Sequence, residues 1–294
     1  MGEGTQDDEE DEYDTYADAA VPGRGRKENN DDAREGRPSM NVIFVLLDGL
    51  NIAAGETCMG YLSALTTAGR AVYGRVPCEL PALSRPLYQC LLTGRPPLVS
   101  GIVHNTFWRP DPAPTIFHRA RDAGLVTAAA AYHWFSELCN RAPWDPVRDR
   151  CVDDPGLPIM HGLFYCNDAY PDDHVFLDAA SLRLRYRPHL LLAHCMGIDD
   201  AGHRAGADSA EYRNAARRAD MLLARWMPGW LEEGCQVIVA GDHGMHADGM
   251  HNGPADQECL TPMWLAGRAF HDVAAPPPQA AWCGLMADLL GLND

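Results

Sequence analysis

Val42-Ile43-Phe44-Val45-Leu46-Leu47-Asp48-Gly49 decides the fold: six consecutive apolar residues that stop at an aspartate and a glycine. A strand with one wet face alternates apolar and polar side chains, whereas a run apolar on both faces belongs inside a mostly parallel sheet covered by helices. Two later stretches share the design. Leu190-Leu191-Leu192-Ala193-His194-Cys195 leads to Asp199, and Val237-Ile238-Val239-Ala240 leads to Asp242. Residues 125–130 give a further strand and residues 262–266 one near an edge, with helices expected over 114–122, 173–185 and 209–226. The pattern predicts an α/β fold with a mostly parallel central sheet and helices on both faces.

The 294 residues, 46% hydrophobic and 22% charged, suit one large domain, and no linker interrupts the sequence after Met40. Residues 1–39 differ, with 13 acidic and 5 basic residues and almost no aliphatic content. Such a segment has nothing apolar to offset its ordering entropy, so a disordered acidic tail is expected ahead of a domain over 40–294. The formal charge of −17 repels nucleic-acid phosphates and argues against a duplex as partner. A small anionic substrate is still admitted, because bound cations reverse the local potential.

The ten cysteines form no C-x-x-C pair, and several lie in apolar runs, so they read as buried thiols. No apolar stretch approaches the roughly 20 residues that span a bilayer, and the N-terminus lacks the pattern of a signal peptide. These features predict a cytoplasmic protein without a membrane partner.

Ligands of open α/β sheets bind outside the carboxyl ends of the strands, and Asp48, Asp199 and Asp242 are all delivered there. Asp199-Asp200-Ala201-Gly202-His203 sets a carboxylate and an imidazole four residues apart. Asp242-His243-Gly244-Met245 follows, and His246 and His251 compete for a last imidazole role. Oxygen and imidazole donors suit Zn²⁺, with Mn²⁺ or Fe as alternatives. Leu80-Pro81-Ala82-Leu83-Ser84-Arg85-Pro86-Leu87-Tyr88 adds a hydroxyl at a loop-to-helix junction. There, free N–H groups and the helix dipole favour an alkoxide and a phosphate oxygen.

This order of residues resembles the alkaline phosphatase superfamily and, within it, the nucleotide pyrophosphatase/phosphodiesterase branch, across most of residues 41–267. The resemblance rests on Leu47-Asp48-Gly49, the loop Pro81 to Pro86, Leu91-Leu92-Thr93-Gly94-Arg95-Pro96-Pro97, Gly101-Ile102-Val103-His104-Asn105 and the Asp199, Asp242 and His251 motifs. It implies an alkaline-phosphatase-like fold and two divalent ions. One would be held by Asp199, His203 and His251, the other by Asp48, Asp242 and His243 with Ser84 as fourth ligand. It further implies that Ser84 attacks phosphorus and that water hydrolyses the phosphoserine formed. Asn105 matches the position whose amide holds a non-bridging phosphate oxygen. Trp134 and Phe135 fall in an aromatic segment that stacks on a nucleobase or another planar leaving group, so the expected partner is a small phosphate ester such as a nucleotide.

Two departures bear on substrate. The phosphodiesterases usually carry Thr as nucleophile and Asn where this chain has Tyr88, and Arg85 beside Ser84 is placed to grip a dianionic phosphate, which keeps monoester hydrolysis as the chemical alternative. The sulfatase modification motif lacks its Arg here, and the lysine pair expected of a phosphonoacetate hydrolase is missing near Tyr132 to Glu137. A phosphonate-related hydrolase of the superfamily is a further alternative. A non-catalytic binding protein on this fold is the reading from another class, and loss of a metal ligand would mark it; no ligand is lost. The chain is short for these enzymes, which predicts an open site, with residues 141–158 a surface loop or partial cap.

Overall fold

The computed structural model describes residues 40–107 and 112–292, so the expected acidic tail lies outside the described residues. In chain order the strands are β1 (Val42–Leu47), β2 (Ala71–Pro77), β3 (Thr127–Tyr132), β4 (Cys151–Asp153), β5 (His161–Tyr165), β6 (Leu190–Cys195), β7 (Gln236–Ala240) and β8 (Leu260–Ala266). They form one mixed sheet in the order β2-β8-β7-β1-β6-β3-β5-β4. The interior pairings β7-β1, β1-β6, β6-β3 and β3-β5 are parallel, and antiparallel pairings close both ends. Strand β8 is one place in from the edge, because β2 pairs along its whole length outside it.

Successive strand residues point to opposite faces, and here both faces are dry. On β1, Ile43, Val45 and Leu47 enter one core while Val42, Phe44 and Leu46 enter the other. Strands β6, β7 and β3 divide in the same way, which is why their sequences run apolar without alternation.

The helices are α1 (Ile52–Cys58), α2 (Gly60–Thr67), α3 (Ser84–Thr93), α4 (Pro97–Ser100), α5 (Ile116–Asp122), α6 (His133–Cys139), α7 (Asp172–Tyr186), α8 (Gly197–Ala205), α9 (Ala210–Glu232), α10 (Asp256–Cys259) and α11 (Trp282–Leu290). Helices α1, α2, α7, α8 and α9 cover the first face, and α3, α5, α6 and α11 the second. Helix α9 starts where Ser209 caps it, its hydroxyl accepting from Tyr212 N, and α5 starts in a capping box made by Thr115 and His118.

Two expectations need correction. Residues 141–158 are more than surface: Asp149 is buried beneath Arg141 and Arg148, and β4 pairs with β5. Among the cysteines, which are all free, Cys151 and Cys166 are exposed, the first because it faces outward on the edge strand β4. No helix among the described residues is long and apolar enough to cross a membrane.

Phe44 sits at the centre of the second core, with its ring edge-on to Trp282 at 6.0 Å. Phe44→Ala leaves a cavity between sheet and helix that neither side can close, and should cost about 3–5 kcal/mol in denaturant-unfolding stability.

Candidate active site

Three adjacent parallel strands, β7, β1 and β6, bring the site together at their carboxyl ends. Asp48 directly follows β1, Asp242 and His243 follow β7, and Asp199 lies in the first turn of α8 after β6, with His203 one turn further on the same helix face. The turn after Asp48 needs glycine. Gly49 has φ +70°, and a Cβ there would meet Asp199 Cα at 2.9 Å. Its N–H donates to Asp242 Oδ1 at 3.2 Å and its carbonyl accepts from Tyr212 Oη at 2.5 Å, so one backbone unit ties β1 to β7 and α9.

Asp48, Asp242 and His243 form one buried group of ligand-type atoms, and Asp199, His243 and His251 a second. His243 therefore belongs to both, where the sequence assigned it to one. His203 lies at the rim of the second group, its Nε2 3.3 Å from Asp199 Oδ2 and 3.0 Å from His251 Nε2. Of the two competing histidines, His251 reaches the site. His246 is turned outward onto Asp248.

The imidazoles share one arrangement. Nδ1 of His203 donates to the Gly249 carbonyl at 2.8 Å, Nδ1 of His243 to the Gly244 carbonyl at 2.9 Å, and Nδ1 of His251 to the Ala82 carbonyl at 2.9 Å. A backbone acceptor on Nδ1 fixes the tautomer and leaves Nε2 as the atom turned to the site, the arrangement found behind metal-bound histidines.

The carboxylates are divided in a similar way. Asp242 Oδ1 is held by Gly49, Asp199 Oδ2 by His203, and Asp48 Oδ2 by His194 and Tyr88. The other oxygen of each, Asp242 Oδ2, Asp199 Oδ1 and Asp48 Oδ1, is buried with no hydrogen-bond partner among the described residues. Orphaned carboxylate oxygens facing imidazole Nε2 atoms are an unfavourable arrangement for the protein alone and a fitting one for divalent cations.

Protonation equilibria carry the same mark. Burial and then the Asp199 charge hold Asp48 well above the usual carboxylate range, and burial followed by Asp48 and Asp199 does the same to Asp242. Burial also pushes at Asp199, but the His203 hydrogen bond and the neighbouring imidazoles carry it below its ordinary value. That hydrogen bond raises His203 to about 9, while burial and His251 push His243 down to about 3.

Ser84 opens α3, and its Oγ lies 3.1 Å from His243 Nε2, in contact with the ligand cluster. Asn105 Oδ1 accepts from Arg85 N at 3.1 Å, which fixes the carboxamide beside Ser84 with its NH₂ left to donate. Arg85 is not turned to the cluster in an exposed fork. Its side chain is buried, Nη2 is 2.5 Å from Glu137 Oε2, and the guanidinium lies 4.6 Å over the Trp134 ring. Glu137 is a residue that sequence reading missed. Trp134 thus gives one face to Arg85, and Phe135 is fully buried with its ring stacked on Tyr88 at 4.4 Å, so Phe135 presents no surface for a substrate.

The family model of type I phosphodiesterase / nucleotide pyrophosphatase matches residues 42–262. GPI ethanolamine phosphate transferase 3 of Schizosaccharomyces pombe is 34% identical over 109 residues, which is 37% of this chain and 11% of that protein. GPI ethanolamine phosphate transferase 2 of Aspergillus fumigatus is 20% identical over 243 residues, 80% of this chain and 31% of that protein. The chain thus spans a third or less of these relatives. Murine ectonucleotide pyrophosphatase / phosphodiesterase 5 superposes with a TM-score of 0.52 at 18% identity, over 70% of this chain and 57% of that one, and at this identity the fold is what is shared.

A cation bound only by the folded chain stabilises it by about 2.7 kcal/mol at a hundredfold excess over its dissociation constant. Zn²⁺ or Mn²⁺ should therefore raise the melting temperature and a chelator should reverse the rise. Asp242→Asn should show two changes in scanning calorimetry: a higher melting temperature without metal, because a buried carboxyl whose ionisation folding opposes is replaced by a neutral amide, and a smaller response to metal.

Proposed function

Because this chain belongs to the type I phosphodiesterase / nucleotide pyrophosphatase family, we propose that it is a phosphoesterase that holds two divalent cations and acts through a phosphoserine. One observation carries the reading: three imidazoles tied at Nδ1 to backbone carbonyls converge with three carboxylates that each keep one buried oxygen without a partner, and the hydroxyl of a serine at a helix N-terminus lies 3.1 Å from the shared His243. Asp48, Asp242 and His243 would hold one cation beside Ser84, and Asp199, His203 and His251 the other. When bound, the ions supply positive charge that neutralises the carboxylates, lowers the pKa of the serine hydroxyl and stabilises the leaving oxygen.

The remaining work falls to the chain. Ser84 Oγ forms the bond to phosphorus as the bond to the leaving oxygen breaks, and the serine proton departs with the leaving alcohol or to solvent. Asn105, oriented by the Arg85 amide, donates to a non-bridging oxygen whose charge grows in the transition state. The dipole of α3, whose N-terminus is at Ser84, adds to the stabilisation of the same charge.

Arg85 supports a diester over a monoester. A guanidinium already paired with Glu137 adds little net charge for a dianion. In the second step water takes the phosphoryl group from Ser84. The transferase relatives support one further reading, in which the hydroxyl of a second substrate takes that group instead. The substrate is proposed as a small phosphodiester, a nucleotide among them.

The test is hydrolysis of a p-nitrophenyl phosphodiester against the matching monoester by metal-loaded protein. The diester should be preferred, Ser84→Ala should abolish turnover, and Asn105→Ala should lower kcat by about a hundredfold, the effect of one lost oxyanion donor. Phosphorylated alcohol formed in the presence of ethanolamine would move the assignment to a transferase, and a monoester preference would move it to the phosphatases.

A further inference from the structure

Tyr88 is the place where the sequence departs from the phosphodiesterase pattern, and it sits on the metal-facing aspartate. Its hydroxyl donates to Asp48 Oδ2 and lies 2.9 Å from His194 Nε2, which is itself 3.1 Å from the same oxygen. His194 Nδ1 is 3.0 Å from Tyr165 Oη, and that hydroxyl donates to the His194 carbonyl at 2.8 Å. His194 Nε2 faces a carboxylate oxygen and a hydroxyl whose hydrogen is already on that carboxylate, so Nε2 carries the ring proton and donates to Asp48 Oδ2, and Nδ1 is left as an acceptor beside the Tyr165 hydroxyl.

The chain of groups Asp48, Tyr88, His194, Tyr165 is buried throughout. It is also held by rings: Tyr88 is stacked on Phe135, His194 lies 5.0 Å from Phe135, and Tyr165 is stacked on Tyr170 at 4.7 Å. Polar groups this deep are costly unless each is satisfied, and Tyr88 and His194 both direct their hydrogen at one oxygen of Asp48. The consequence falls on the other oxygen. Asp48 Oδ1 is left without a partner, 3.3 Å from His243 Nε2.

We propose that Tyr88 and His194, backed by Tyr165, are positioning residues that pin Oδ2 of Asp48 and so present Oδ1 alone as a one-point cation ligand. Tyr88, standing where the resemblance places an asparagine, then takes on a task of site geometry, and His194, read in the sequence as part of an apolar strand, is the joint between β6 and the ligand that follows β1. The proposal rests on the two-cation reading of the site.

The experiment is calorimetric titration of metal-free protein with Zn²⁺, repeated with Co²⁺ so that the visible absorption of the bound ion reports its coordination. The Asp48 site is identified as the one that Asp242→Asn removes. Tyr88→Phe, which keeps the stacked ring, and His194→Leu should each weaken that site by about 10–100-fold, the usual cost of losing an outer partner of a ligand. The other site should be unchanged and the Co²⁺ spectrum altered. His194→Gln, which keeps a hydrogen-bonding group, should recover part of the loss. Unchanged affinity in folded Tyr88→Phe overturns the proposal even if His194→Leu fails to fold, and so does equal weakening of both sites. Wild-type protein that binds no divalent ion would overturn the two-cation reading as well, an outcome distinct from two normal sites in the variants.

Discussion

Like charge in a small buried volume is the constraint on which the rest of this structure depends. Asp48, Asp199 and Asp242 are all buried and their ligand-type oxygens converge on a shared histidine. Two unit charges 4 Å apart repel by about 4 kcal/mol even at an effective dielectric constant of 20. The ion pairs these carboxylates make are with imidazoles. The chain therefore relieves the repulsion by holding protons, seen in the raised Asp48 and Asp242, or by admitting cations. His243, shared by both groups, pushed down to about 3 and tied at Nδ1, keeps a neutral Nε2 inward, which suits the second route because it offers a lone pair to a cation.

A fold that keeps three repelling groups together needs stiffness behind them. It is supplied at the strand ends, where β7, β1 and β6 are neighbours in the middle of the sheet and dry on both faces. Tyr212 reinforces the weakest point. From α9 its hydroxyl donates to the Gly49 carbonyl and accepts from Asn51 N at 2.8 Å, so the turn is held by Tyr212 after its left-handed residue and by Asp242, on the Gly49 N–H, before it. The same turn has no room for a side chain, because Asp199 packs directly on it. Backbone geometry and charge repulsion thus oppose each other across a contact of one residue, and the hydrogen bonds to Gly49 decide the balance.

Some of this was legible in the sequence and some was not, for identifiable reasons. Strands β1 and β6 have the bounds their apolar runs predict, because burial on both faces leaves no polar interruption. Strand β2 went unread since Gly74 and Arg75 break its apolar character, and β4 and β5 lie in and just beyond a segment whose Asp, Arg and Pro content reads as loop. The metal-type residues were readable because each follows a strand end. Their partners were not. Glu137 meets Arg85 across 52 positions and His194 meets Asp48 across 146, and no local pattern encodes such a pairing. His194 was hidden in a second way, since one polar residue in Leu190 to Cys195 looks like an interruption of the core until the opposite strand places Asp48 beside it.

Two neighbours on α3 divide the work that the proposed anionic substrate would require of an acidic chain. Ser84 and Arg85 are consecutive, so they project from the first turn in different directions. The hydroxyl goes to His243 and the guanidinium goes to Glu137 and Trp134. Had the arginine faced the cluster, it would have been drawn into the three carboxylates and occupied the space where a phosphate must approach. Glu137 prevents that by holding the guanidinium in a buried pair whose loss would leave one charge stranded. On the proposed reading, positive potential at Ser84 comes from ions bound to the carboxylates and from the helix N-terminus, sources that need no cationic side chain beside the serine and that reverse locally the −17 carried by the whole chain.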